Sequence, residues 1–499
     1  MNTTAVLFLG FYFALVLGIG IWAMRIGAGK DLEGFLLGGR RVGPIVTALT
    51  LQTTSMSGYM FLGAGALGFA EGYWALWYAA GDIGGGVLNL SVIGRRMRKF
   101  SQIIGALTSI EYLEKRYPSP AVRLIAGVLT VLLLGCYVLA QFIAGGKGMA
   151  LVTGVPYWLA SLIAVGIILI YTLLGGYLAV AYTDALQSVV MLIGIGWIVV
   201  AALIEVGGLG AANATIGSID PTLLSVWGRG LGYEGEWGLV LGALLIFSVG
   251  YMGWPHVVTR HLAMRDPATA RQAGAYATAW NLLFVSTPYL LGILAIIILP
   301  DLDDPELAIM RLAENLLPAA VMGVVMAAIM STADSLLLQT GSIASRDLYE
   351  RFINPGASER QMVWVSRGLV FSIGAVGYFV ALADPPSVFS IVVFATSVLG
   401  SAFLPAYVCA VWWRKANTPA AIASMVTGAT LAFFWEFVGL VEITGLPPML
   451  AGVVGSTTVM ITVSLATQRT SPVPEHVTAA MDEAARVGPI PPALLAKFE

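Results

Sequence analysis

Gln52-Thr53-Thr54-Ser55-Met56-Ser57-Gly58 lies inside an apolar run, residues 44 to 70, that is otherwise long enough to cross a membrane. Six of these seven positions are polar or glycine. In lipid each unsatisfied polar group costs several kcal/mol, so a span of this composition must face protein and is expected to unwind. A second interruption, Ser248-Val249-Gly250-Tyr251-Met252-Gly253-Trp254-Pro255-His256, falls in the run 237 to 257. There two glycines loosen the helix and Pro255 removes a backbone hydrogen bond. Each interruption opens a block of about five apolar runs, 44 to 205 and 237 to 413. Interrupted helices at matching places in two halves point to an all-α polytopic membrane protein built from inverted repeats, with its site at the breaks.

Working outward, the composition agrees. Of 499 residues, 58% are hydrophobic and 11% charged, where a soluble domain carries about 25% charged. The mean hydropathy is +0.85. A soluble multidomain reading is excluded, and a net charge of −2 gives no basic surface for nucleic acid. Cys136 and Cys409 lie far apart in apolar runs, which argues against a disulfide framework or a thiolate metal site. The first run, 4 to 24, has no basic segment before it and is followed by Arg25, so it reads as a retained span and not a signal peptide.

Thirteen spans are expected, near 4–24, 44–70, 74–94, 124–146, 155–177, 179–204, 237–257, 275–299, 317–342, 362–383, 387–413, 418–440 and 447–467. With the N-terminus outside and the C-terminus inside, 23 of the 26 basic residues, Arg260 among them, fall on the inner side. Only Lys147, Arg229 and Arg311 fall outside. A missed or invented span in mid-chain would reverse every later loop and destroy that asymmetry. The acidic stretch with Asp301, Asp303, Asp304, Glu306 and Glu314 reads as a solvated outer face, and the proline-rich end after Thr470 as a mostly disordered tail.

A third unusual span contains Ala327-Ala328-Ile329-Met330-Ser331-Thr332-Ala333-Asp334-Ser335. In a helix the Ala328 carbonyl lies beside the hydroxyls of Ser331 and Thr332, three and four residues on. Such hydroxyls either bond back to carbonyls or, with carbonyls freed at an unwound segment, offer a hard monovalent cation several oxygens without a fixed charge. Asp82, in Gly81-Asp82-Ile83-Gly84, sits mid-span, where an ionisable residue is functional by default unless tyrosines or water satisfy it. Gly63-Ala64-Gly65-Ala66-Leu67-Gly68 fits a dinucleotide motif but follows no strand. No nucleophile, base and orienting group converge, so no enzyme activity and no cofactor is expected. His256 and His261 lack partners at metal spacing, and no metal beyond that monovalent cation is expected.

Taken in order, Leu37-Gly38-Gly39-Arg40, Gly43-Pro44, Met56-Ser57-Gly58, Gly175-Gly176-Tyr177-Leu178-Ala179-Val180, Thr183-Asp184, Gly250-Tyr251, Pro255-His256 and Met330-Ser331-Thr332 resemble the sodium/solute symporter family, above all its bacterial sodium/proline branch. The resemblance spans nearly the whole chain. It implies a LeuT-type fold of five plus five inverted spans, with one span before and two after. The corresponding divisions are 1–43, 44–205, 206–236 as an outer connection, 237–413, 414–467 and a cytoplasmic tail 468–499. It also implies inward Na+ symport of a small organic solute across the plasma (inner) membrane by a protein that works as a monomer in the bilayer.

Carried over by position, sodium would be held by the carbonyls of Thr53, Met56 and Ala328 and the hydroxyls of Ser331 and Thr332. Asp184 matches a position that in some members serves a second sodium or its release; its other reading is a helix-start cap. Asp184 and Asp334 are the candidates for a second ion or relay. Substrate contacts would come from Ser57, Gly58, Phe247, Tyr251, Trp254 and Pro255, with Asp82 facing a substrate ammonium. Ser55 stands where the proline branch has aspartate, and Phe247 where it has tryptophan. The resemblance therefore favours an amino acid such as proline while leaving monocarboxylates, pantothenate and sugars open, as well as proton coupling, facilitative transport or a non-transporting sensor.

Overall fold

The computed structural model describes residues 3–26, 31–56, 58–227, 237–318, 332–383 and 387–492. In chain order the helices are α1 (Thr3–Arg25), α2 (Leu32–Leu37), α3 (Pro44–Ser55), α4 (Gly65–Glu71), α5 (Leu76–Asn89), α6 (Arg95–Ile103), α7 (Ser109–Arg116) and α8 (Pro120–Thr153). There follow α9 (Tyr157–Glu205), α10 (Leu209–Ile219), α11 (Trp237–Ile246), α12 (Pro255–Ala263), α13 (Thr269–Phe284), α14 (Ser286–Ile298) and α15 (Ala308–Leu316). The rest are α16 (332–343), α17 (Glu359–Ala381), α18 (Val388–Trp412), α19 (Thr418–Phe437), α20 (Leu440–Thr444), α21 (Pro448–Ala466) and α22 (Glu475–Ala485).

Among the described residues, eight helices are long and apolar enough to cross a membrane: Val6–Arg25, Pro120–Thr153, Tyr157–Glu205, Thr269–Ile298, Glu359–Ala381, Val388–Trp412, Thr418–Phe437 and Pro448–Ala466. The third of these contains two expected spans. It bends at Gly176 (φ 56°, ψ −150°), a conformation that L side chains rarely adopt. A Cβ there would also stand 2.7 Å from the Phe35 carbonyl oxygen. The expected spans 44–70, 74–94, 237–257 and 317–342 are outside that set because each is interrupted, passes into a π turn, or is only partly described.

Both interruptions are present. The first is narrower than the sequence suggested: α3 stays helical through Ser55 and breaks at Met56 (φ −94°, ψ 75°). Several of its polar side chains find partners without unwinding, although Thr47 Oγ1 and Gln52 Oε1 are buried without one among the described residues. Thr53 and Ser55 donate back to the carbonyls of Leu49 and Leu51 at 2.7 and 2.6 Å, and Gln52 reaches Ala277 O and Asn281 on α13. In the second, Trp254 is extended and Pro255 occupies the first position of α12, where its missing N–H would have been unpaired in any case. Pro255 thus starts a helix where it was expected to weaken one.

Many of the basic residues counted as topology charges also staple helix ends. Arg116 donates to the carbonyls of Ala410, Trp413 and Ala416 at the end of α18, groups that a helix leaves unpaired. Arg40 joins Leu262 O and Ala106 O, and the segment before α3 pairs with that after α12 through Val42 and Met264. Two expectations are corrected. The tail holds α22, docked on α6 through Lys99–Glu483 at 2.6 Å, because Val477, Ala480, Met481 and Ala484 form an apolar stripe that packs inward. The acidic outer stretch is not wholly solvated: Asp304 and Glu306 pair with Lys147 at 3.1 and 2.5 Å, and Glu306 also accepts from Val388 N.

Candidate functional site

The structure assembles two adjoining clusters where the breaks meet α5, α9 and α16. The first is built of oxygens. Thr332 Oγ1, at the start of α16, donates to the Thr53 carbonyl at 2.7 Å. Two of the expected sodium oxygens, one from each half of the chain, are therefore neighbours. Met56 follows at the break and is fully buried. Ala328 and Ser331, and Ser57 of the substrate set, lie outside the described residues. The donor set suits the ion, since neutral carbonyls and hydroxyls are hard oxygen ligands. Sodium would draw on the Thr53 carbonyl lone pair that now accepts from Thr332 and on the Thr332 hydroxyl oxygen, its proton turned away.

One turn further in lies a charged group that the sequence did not reveal. Asp184 accepts from Thr50 Oγ1 at 2.5 Å, Ser335 Oγ at 3.0 Å and Thr54 Oγ1 at 3.3 Å. Arg260 Nη2 stands 3.8 Å from the same carboxylate and donates to Thr54 Oγ1 at 2.6 Å and Ser335 Oγ at 2.5 Å. Asp334 completes the group, accepting from Ser335 N at 2.6 Å and Thr183 Oγ1 at 3.4 Å and interacting electrostatically with both Asp184 and Arg260. The capping reading of Asp184 does not hold. The residue lies well past the Gly176 bend, inside α9, and its partners come from α3, α12 and α16. Arg260, counted among the inner-loop charges, is instead 2% exposed.

The second cluster is aromatic. Phe247 stacks on Tyr59, next to Gly58, at 5.1 Å between ring centroids, so the two breaks touch. Tyr251 and Trp254 meet edge to face at 4.4 Å, and Trp254 Nε1 donates to Thr396 O of α18. Gly58 N donates to Gln141 Oε1 of α8 at 2.8 Å, a contact the sequence did not suggest. Asp82 is fully buried and accepts from the hydroxyls of Tyr251 and, at 3.1 Å, Tyr59. Of the two readings left open for Asp82, the geometry is that of a carboxylate satisfied by tyrosines. Close approach makes this possible: a Cβ on Gly85 would lie 2.2 Å from both the Phe247 carbonyl and the Tyr251 ring.

A cavity of about 700 Å³ approaches the aromatic cluster, walled by Gly63, Ile143 and Phe389 and rimmed by Lys147, Asp304 and Glu306. Phe389 meets Tyr78 at 5.6 Å, and Tyr78 meets Phe247 at 5.8 Å. Phe389 and Tyr78 thus lead in succession from the cavity to Phe247.

Comparison with known proteins agrees with this arrangement. The model of the Sodium:solute symporter family matches residues 35–428. The osmoregulated proline transporter OpuE of Bacillus subtilis (strain 168) is 28% identical over 480 residues, covering 94% of this chain and 96% of that protein. Sodium/proline symporter 2 of Staphylococcus saprophyticus is 28% identical over 468 residues, covering 89% and 90%. Among solved structures, a Na+-coupled sialic acid symporter in its substrate-bound outward-open state superposes with a TM-score of 0.77 at 15% identity, covering 93% of this chain and 98% of that one. Mhp1, a nucleobase-cation-symport-1 family transporter in a closed conformation, gives 0.59 at 16%, covering 90% and 98%. These two share the fold. With broken helices, a neutral oxygen set at their meeting point and a family match over most of its length, this chain belongs to the sodium:solute symporter family, membrane transporters that use Na+ as coupling ion and are not enzymes.

Proposed function

We propose that this protein carries a small organic solute, with an amino acid such as proline as first choice, into the cell together with Na+ by alternating access. It would do so as a monomer in the plasma (inner) membrane, with thirteen spans, the N-terminus outside and repeats over 44–205 and 237–413. The observation that carries this reading is the 2.7 Å contact between Thr332 Oγ1 and Thr53 O. It sets a hydroxyl of one repeat against a carbonyl at the break of the other. An ion bound between them, with Met56, Ala328 and Ser331, would hold the repeats in one relative position and so favour one side of access. Proline relatives in Bacillus and Staphylococcus support the substrate choice.

The solute would lie against Ser57, Gly58, Phe247, Tyr251, Trp254 and Pro255. The exposed N–H groups at a helix start favour its carboxylate, and the rings bound its apolar body. Asp82 acts here by orienting Tyr59 and Tyr251. Asp184 and Asp334 share the single guanidinium of Arg260, so a second cation or a proton would be needed to balance the group. That makes this pair the place for a second ion or a relay. At about 100 mV one Na+ gains roughly 2.3 kcal/mol and a tenfold gradient adds about 1.4 kcal/mol. Together these drive roughly 500-fold accumulation of a neutral solute.

The test is competition of labelled proline uptake into proteoliposomes by a panel of amino acids, monocarboxylates, pantothenate and sugars, with and without a Na+ gradient. Competition by proline above all others is expected. A panel in which a monocarboxylate or sugar competes and proline does not would overturn the substrate.

A further inference from the structure

A second cleft, of about 840 Å³, opens between the junction of α5 and α6, the start of α13 and the chain just past α22, on the face where most basic residues lie. Four cations line it: Arg95, Lys99, Arg271 and Arg486. Lys99 is neutralised by Glu483 at 2.6 Å. The others keep most of their charge. Arg95 donates to a neutral carbonyl, that of Ala485, at 2.8 Å, and Arg486 reaches Glu483 only at 3.7 Å. Arg271 has no side-chain partner among the described residues and is exposed. The one carboxylate in the wall, Asp266, is already engaged, by Arg265 at 3.0 Å and by the Thr269 backbone at 2.9 Å.

The other wall is apolar, formed by Val87, Leu90 and Ala275. The same two helices, α5 and α13, also carry Leu88, Leu282 and Leu283, which are exposed, the last two by about two thirds. A soluble anion would use the arginines and leave that wall wet. A phospholipid uses both, its headgroup on the cations and an acyl chain on the apolar side. We propose that this cleft binds an anionic phospholipid of the phosphatidylglycerol class, its phosphate between Arg95, Arg271 and Arg486 and a chain against Val87 and Ala275. The docked tail forms part of the site, so the lipid fastens α22 to the bundle.

The test is native mass spectrometry of the delipidated full-length protein titrated with phosphatidylglycerol or phosphatidylcholine of matched chains. R271Q/R486Q alters two exposed side chains, while R271K keeps the charge and R311Q removes a half-buried arginine of the expected outer face. At about 1 kcal/mol for each arginine near a membrane surface, the double variant should lose about 30-fold in phosphatidylglycerol affinity. R271K and R311Q should bind as the parent does, and 10 mM inorganic phosphate, a probe in about the millimolar range of weak anion sites, should displace nothing. Equal retention of the two lipids, parental binding by R271Q/R486Q, or displacement by phosphate, which would mark a site for soluble anions, each overturns the proposal. None of these outcomes depends on which solute is carried.

Discussion

Replacing Arg260 with glutamine removes the guanidinium that stands 3.8 Å from Asp184 and takes a charged donor from Thr54 and Ser335. Both partners are out of reach of solvent, at 1% and 0% side-chain exposure, so the change strands a buried carboxylate. Breaking a buried pair from one side costs about 3–5 kcal/mol. Thr50, Thr54 and Ser335 still donate to Asp184, which places R260Q at the lower end, about 3 kcal/mol. D184N leaves Asp334 as the counter-charge of Arg260, while in D184N/R260Q the carboxylate that R260Q strands is gone. The double variant should therefore recover about 2 kcal/mol relative to the sum of the singles. The assay is denaturant unfolding of the purified protein in one detergent, followed by tryptophan fluorescence across the four members of the cycle. Additive effects, or an R260Q protein as stable as the parent, would refute the view that Arg260 balances Asp184.

At Gly85, alanine would set a Cβ 2.2 Å from the Phe247 carbonyl and the Tyr251 ring. G85A should lose uptake and about 1–3 kcal/mol of stability, whereas G84A, whose Cβ would meet only Leu88 at 3.6 Å, should behave as the parent in the same two assays. Y251F deprives buried Asp82 of one donor, at about 1–3 kcal/mol. Unfolding measurements should show that cost largely vanish when D82N is combined with it. Burial alone would push Glu111 up, but Arg346, Lys115 and Arg123 hold it below the usual carboxylate range. Its contribution is present at neutral pH and fades as pH falls below about 4 through its folded-state pKa. Unfolding curves from pH 7 to 3 should fall more steeply for the parent than for E111Q, and parallel curves would contradict the pairing.

What was legible in the sequence follows from where polar groups cost most. Seven residues such as Gln52 to Gly58 cannot sit in lipid, so the breaks and the neighbourhood of Thr53 and Thr332 could be read directly. How far the helix unwinds could not. Whether Gln52 breaks its helix or finds Asn281 depends on the facing helix α13, 229 residues away. Arg260 escaped for a related reason. A basic residue at the edge of a span has one sequence signature whether it reaches out to water or inward to Asp184, and only packing separates the two. The α22 stripe, by contrast, was in plain view as Val477, Ala480, Met481 and Ala484 and was obscured by the prolines around it.

If sodium binds between the first break and the start of α16, as proposed, the Na+ dependence of uptake must change in T332A. Loss of one hydroxyl from a charged partner is worth about 1.5–3 kcal/mol. The Na+ concentration for half-maximal uptake in proteoliposomes should therefore rise at least tenfold, while T340A, whose hydroxyl only bonds back to Leu336 O on the same helix, should leave it where it was. Half-maximal uptake by T332A at the parental Na+ concentration, or parental uptake that continues unchanged when choline replaces Na+, would rule out a sodium site at Thr332.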